Sequence, residues 1–273
     1  MPAFLEIASE KLARIVGTPD MPTIIDVRVE EDFALDPRLV PGSIRRDYRR
    51  VMDWGPDTSG PAILLCRKGQ KLSHGVAAHL RAMGKEAEVL QGGLEAWREA
   101  GGMLVHEAKI PPRDASGRTV WVTRSRPKID RIACPWLIRR FIDPSAVFLF
   151  VPAGEVPLVA ERFGATPFDV EDVFWSHRDE LCTFDVMIEE FGLGSEPLLH
   201  LATVVRGADT ARPDLAPEVP GLLAVSLGLS RMFNDDLKQL EAGLTLYDAL
   251  YRWCRDATKE THNWPNPRQG QRA

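Results

Sequence analysis

The sequence predicts a parallel α/β domain, a sheet with helices on both faces, followed by a mostly helical α+β domain. Three observations carry this. Up to about residue 103, short apolar runs alternate with amphipathic stretches. Residues 105–118 (VHEAKIPPRDASGR) then bring Pro111-Pro112, Gly117 and few apolar side chains, which is the composition of a linker. Beyond them two strong apolar strands give way to a succession of helical patterns. The chain is accordingly divided into a first domain at 1–108, a linker at 109–118, a second domain at 119–256 and a flexible polar tail at 257–273.

In the first domain, residues 6–16 read as a helix with Ile7, Leu12, Ile15 and Val16 on its apolar side. Residues 23–27 (TIIDV) form a strand, and 29–33 lead into a loop around Pro37. Arg45, Arg46, Arg49 and Arg50 follow within six residues, either as a solvated face or as an attraction for small anions. Residues 62–65 (AILL) form a buried strand ending at Cys66. Leu72, Val76, Leu80 and Met83 then fall at helical spacing, with His74 and His79 as ordinary residues of that helix. A further strand at 87–90, a turn at Gln91-Gly92-Gly93 and a helix at 94–100 with Trp97 complete the alternation.

Cys66 therefore stands where a strand passes into a helix N-terminus, at the strand ends where such sheets bind ligands. Arg67, Lys68, Gly69, Gln70 and Lys71 lie between strand and helix. Inward-turned amides, the helix dipole and the loop cations all favour the thiolate, which is the nucleophilic form. A buried inert cysteine needs no cationic, glycine-containing loop after it.

DVR at 26–28, PGSI at 41–44, CRKGQK at 66–71 and QGGLEAW at 91–97 together resemble a rhodanese domain, in order and spacing, over roughly residues 5–103. The resemblance implies a sulfurtransferase whose Cys66 carries a persulfide, with residues 67–71 as the cradle for the transferred sulfur. It further implies Asp26 and Arg28 as structural supports and Trp97 as a packing residue. Rhodanese-like phosphatases have one more loop residue and a closing Arg. Here Lys71 closes a six-residue loop, which suits a sulfur atom better than a phosphate. No general base and no cofactor are required.

The whole chain is 44% hydrophobic and 27% charged with a net charge of −5, so neither nucleic acid nor a membrane surface is expected as its main partner. No secretory leader and no apolar run of spanning length is seen, and the expected compartment is the cytoplasm. Cys66, Cys134, Cys182 and Cys254 are far apart and read as free thiols.

In the second domain, strands are read at 119–123 and 146–151, with a helix at 129–142 that Pro135 should kink or delay. Helices follow at 157–163, 183–191, 196–206, 218–233, 235–242 and 245–255. Three clusters bear chemistry. Arg124, Arg126 and Arg131 with Cys134, near Asp130, suggest an anion or redox site. His177, Cys182 and Asp185 have the ligand types of a divalent metal site. Arg206-Gly207-Ala208-Asp209 follows a helix end. The stretches at 121–143 (WVTRSRPKIDRIACPWLIRRFID), 177–188 (HRDELCTFDVMI) and 204–210 (VVRGADT) resemble the C-terminal domain of bacterial chromate-resistance proteins. That resemblance implies a part in tolerating chromate and assigns no site residue.

The combined reading is a cytoplasmic sulfurtransferase that moves sulfane sulfur from thiosulfate or a similar donor to a thiol or cyanide, linked to the handling of chromate or another oxyanion. Open beside it stand a chromate- or metal-responsive regulator or accessory protein, a thiol-dependent chromate or arsenate reductase using Cys66 or Cys134, and a rhodanese module that only binds a partner.

Overall fold

Every residue of the strand that leads to Cys66 is buried, as a parallel strand covered on both faces must be. In the computed structural model, which describes residues 5–260, that strand is the middle one of five. The elements of the first half are β1 (Glu6–Ile7), α1 (Ser9–Ile15), β2 (Thr23–Asp26), α2 (Glu30–Leu35), β3 (Arg38–Leu39), β4 (Ile44–Arg45), α3 (Val51–Trp54), β5 (Ala62–Leu65), α4 (Lys71–Ala82), β6 (Ala87–Leu90), α5 (Gly93–Glu99) and β7 (Val105–His106). The sheet order is β1-β6-β5-β2-β4, parallel throughout, with Ile24 beside Ile63 and Leu64 beside Val89.

Two local readings change. The predicted helix at 6–16 is split, because Glu6 and Ile7 pair with β6: Leu5 and Ile7 carbonyls accept from Val89 and Gln91 amides, both at 2.9 Å. Residues 30–35 are helical rather than loop, with Glu30, Glu31 and Asp32 in the first turn, where the helix dipole favours negative charge.

The second half contains β8 (Val120–Arg124), α6 (Asp130–Leu137), β9 (Val147–Val151), α7 (Val156–Phe163), β10 (Thr166–Pro167), α8 (Thr183–Phe191), α9 (Glu196–Asp209), α10 (Val219–Met232) and α11 (Asp236–Asp256). Its three strands form a parallel sheet in the order β10-β8-β9. Pro135 sits inside α6, and the helix continues as a π-helical turn over Ile138–Ile142. Pro135 has no N–H to donate, and insertions of this kind absorb such a break. α11 is one helix, not the two predicted at 235–242 and 245–255. Gly243 is no break there: a Cβ on it would stand 2.4 Å from Ile132 Cγ2, so glycine lets α11 close onto α6.

The linker is an ordered strap. Glu107 N–H donates to the Pro37 carbonyl at 3.0 Å, β7 pairs with β3, and Arg113 forms an isolated bridge with Thr119. Arg113 also reaches Asp143 at 3.1 Å. One apolar cluster runs from Leu12, Val16 and Trp97 to Trp136 and Phe141. At this seam a Cβ on Gly17, which has φ +78°, would stand 2.2 Å from the Phe141 ring, and Gly42 N–H donates to the Phe141 carbonyl at 2.6 Å. Of the expected flexible tail, residues 261–273 lie outside the described residues. Among the described residues no helix is long and apolar enough to cross a membrane.

Candidate functional site

The loop after β5 is built by three glycines. Gly69 adopts φ +61°, and a Cβ there would meet the Leu90 carbonyl and the amides of Gly92 and Gly93 at 2.5–2.8 Å. Gly93 adopts φ +62°, and its Cβ would stand 2.2 Å from the Cys66 carbonyl oxygen. Gly92, with φ +68°, turns the chain into α5. The first amides of α5 then hold the loop: Leu94 N–H donates to the Cys66 carbonyl at 3.0 Å and Glu95 N–H to the Arg67 carbonyl at 3.1 Å. The QGG segment, legible only as a turn, is thus a clamp on the loop.

Inside it, the Cys66 residue is 6% exposed, and its Sγ accepts from Gln70 N–H at 3.3 Å. Ser73 Oγ lies 3.3 Å from the same sulfur and donates to the Gln70 carbonyl at 3.0 Å. Ser73 was not singled out in the sequence, although its place on the first turn of the helix was visible. The cations divide. Arg67 is held by Glu95 at 2.7 Å and by Asp32 at 3.3 Å, so its charge is matched by carboxylates. Lys68 and the first helical residue Lys71 are exposed, and among the described residues neither pairs with a carboxylate. Asp26 and Arg28 form a fully buried pair at 2.6 Å beneath β2, and Arg28 also donates to the carbonyls of Asp36 and Arg38 at 2.8 and 2.7 Å. Trp97 is buried and donates to the Met103 carbonyl at 2.9 Å.

In the second half the expected metal set is not assembled. Cys182 Sγ donates to Asp185 Oδ2 at 3.1 Å at the N-terminus of α8, and Arg206 takes Asp185 Oδ1 at 2.7 Å. Both residues are engaged in capping and an ion pair, and burial pushes the Cys182 thiol far up. His177 turns to other carboxylates, with its Nε2 3.2 Å from Asp209 Oδ2, 3.4 Å from Asp169 Oδ1 and 3.6 Å from Asp130 Oδ2. Asp169 and Asp209 hold the imidazole proton, raising His177 to about 10. Burial first, then repulsion from Asp209 and Asp169, pushes the Asp130 carboxyl well above the usual range. Asp130 opens α6 after Ile129, whose φ of 38° is rare for a β-branched residue, and Tyr247 OH donates to the Ile129 carbonyl at 3.2 Å.

The expected anion or redox set is also dispersed. Arg124 and Arg131 converge on Asp169 at 3.6 and 3.2 Å, whereas Arg126 turns to the carbonyls of Ser230 and Phe233. Cys134 is fully buried, and burial together with Asp130 and Asp169 pushes its thiol well up. Three charges that neighbour one another in sequence thus serve two places in the fold. Asp169 escaped the sequence reading, since no short spacing ties it to His177.

The first half therefore defines a rhodanese-like domain, and the family model described as Rhodanese-like domain matches residues 8–100. Residues 121–254 match the model described as ChrB, C-terminal domain. The chain is a rhodanese-like domain joined to a ChrB C-terminal domain. Protein ChrB of Cupriavidus metallidurans (strain ATCC 43123 / DSM 2839 / NBRC 102507 / CH34) is 37% identical over 147 residues, which is 52% of this chain and 43% of that protein. The match thus spans less than half of that relative's length. Among solved structures, a rhodanese-related protein of Thermoplasma volcanium aligns with 19% identity and a TM-score of 0.33, covering 37% of this chain and 98% of that one. A rhodanese-like domain protein of Staphylococcus aureus aligns with 23% identity and a TM-score of 0.31, covering 34% and 89%.

Proposed function

We propose that the protein is a cytoplasmic sulfurtransferase with Cys66 as nucleophile. The observation that carries this reading is the Gln70 amide donating to Cys66 Sγ at 3.3 Å inside a loop clamped by the N-terminus of α5. The Cys66 thiolate attacks the outer sulfur of thiosulfate or a similar donor. A new S–S bond forms as the donor's S–S bond breaks, and sulfite leaves with the electron pair. A thiol or cyanide then attacks the outer sulfur of the persulfide, and Cys66 departs again as the thiolate. Loop amides and the uncommitted Lys68 and Lys71 offset the charge on the departing anion, as an oxyanion hole does. Asp26 and Arg28 tie the end of β2 to the carbonyls of Asp36 and Arg38. The transfer needs no cofactor.

The ChrB C-terminal domain supports a link to chromate resistance, with chromate or a related oxyanion as the chemical context of the sulfur transfer. A reductase working through Cys134 finds no support, because that thiol is fully buried beside carboxylates. The purified protein, given thiosulfate and cyanide, is expected to release thiocyanate, and intact mass should show one added sulfur on the peptide containing Cys66. A wild-type rate equal to that of Cys66→Ser, with no sulfur added, would leave the first domain as a binding module or a sensor.

A further inference from the structure

We propose that Asp130, His177 and Asp209 form a binding site for one divalent transition-metal cation, with Asp169 supporting it from beside the ligands. The inference is independent of Cys66.

One oxygen or nitrogen from each of these three residues lies within 4.8 Å of the other two. Atoms about 2.1 Å from a shared ion stand roughly 3 to 4 Å apart, so this set needs small side-chain shifts only. The second observation is the state of Asp130. Its side chain is fully buried, its Oδ2 accepts from Phe184 N–H at 3.3 Å, and its Oδ1 has no hydrogen-bond partner. A buried carboxylate oxygen without a partner is costly. Oδ2 is the oxygen that faces His177, at 3.6 Å, and a cation shared with His177 and Asp209 would compensate the buried carboxylate as a whole.

Charge points the same way. Asp169 is already matched by Arg131 at 3.2 Å and Arg124 at 3.6 Å, and Thr183 Oγ1 donates to it at 2.9 Å. That leaves the Asp130 and Asp209 carboxyl groups facing one imidazole, with protons that a divalent ion would displace. A divalent ion with a neutral imidazole balances the two carboxylates. Asp130 forms the floor of the site, while the His177 side chain is 41% exposed and Asp209 19%, which leaves a way in from solvent. Two carboxylates and one imidazole are ligands for zinc, manganese or cobalt rather than for a thiolate-loving ion. Cys182 stays outside the set, since its thiol is spent on Asp185.

The test uses the full chain carrying Cys66→Ser, so that the loop thiol binds nothing. After chelation and dialysis the protein is titrated separately with Zn²⁺ and Co²⁺, and bound metal is counted. About one equivalent should be retained, with a Co²⁺ spectrum free of thiolate charge-transfer bands. His177→Gln and Asp209→Asn, both at partly exposed positions, should each weaken binding at least tenfold. Cys182→Ser should leave it unchanged, and melting curves of all variants check the fold. The proposal is overturned if neither ion binds saturably. It also fails if binding survives in both folded ligand variants, or if Cys182→Ser abolishes it and thiolate bands are present.

Discussion

Cys66 Sγ meets the N-cap amide of α4 and Cys182 is itself the N-cap of α8, yet their surroundings differ in sign. Around Cys66 the nearest polar groups are the Gln70 amide and the Ser73 hydroxyl, and Lys68 and Lys71 lie in the same loop. Around Cys182 they are carboxylates, with Asp185 accepting the thiol proton and Asp130 close enough to oppose its loss. A helix N-terminus alone therefore does not make a reactive cysteine. In the proposed sulfur transfer, the charge of the next few side chains separates the sulfur that carries the chemistry from the one that caps a helix.

The sharpest way to break this comparison is to exchange each sulfur for oxygen. Cys66→Ser should abolish thiocyanate formation, a loss of roughly a thousandfold or more, because the transferred sulfur has nothing to ride on. Cys182→Ser should leave that rate within about twofold, since serine is itself a good helix cap. Equal losses in the two variants would remove the distinction between the two helix ends.

The second contrast is between loop and clamp. Gly93→Ala puts a Cβ against the Cys66 carbonyl at 2.2 Å and forces an alanine to φ +62°. The strain should cost about 1–3 kcal/mol of stability, read from urea unfolding. Sulfur transfer should fall further than stability alone explains, because the loop can no longer sit under the α5 amides. Gly84→Ala is the control. It also has a positive φ, +78°, but its Cβ meets nothing within 4 Å. It should lose stability without a matching loss of rate per folded molecule.

What was legible in the sequence follows the same division. The first site is local: β5, the loop and the start of α4 run consecutively from residue 62 to 73, so spacing and charge displayed it. The second is assembled from α6, the loop before α8, and α9, and residues 130, 169, 177 and 209 meet only through the fold. Nearness in the chain suggests His177 with Cys182 and Asp185, whereas the fold sets His177 beside Asp130, Asp169 and Asp209. The same limit explains α11. Gly243 reads as a breaker until Ile132, more than a hundred residues earlier, is found lying against it.

The smallest expected effect tests whether charge sign also sets the seam between strap and second domain. Glu190, on α8, holds Lys109 of the strap at 2.7 Å and Arg178 at 2.5 Å. The hydrogen bond from Lys109, then that from Arg178, keeps the Glu190 carboxyl below its usual value of 4.5. Because the folded value is the lower one, the unfolded chain takes up the proton first as pH falls. The stabilisation is therefore complete above about pH 4.5 and is lost as pH drops through the depressed value. The Lys109 and Arg178 side chains are 48% and 38% exposed, so screening by water keeps the effect below about 1 kcal/mol. Glu190→Gln should lower the urea midpoint slightly at pH 7, and the gap from wild type should narrow as pH falls below about 4.5 and through the depressed value. A gap that stayed constant across that range would mean that Glu190 acts through packing, leaving charge no part in holding the strap to α8.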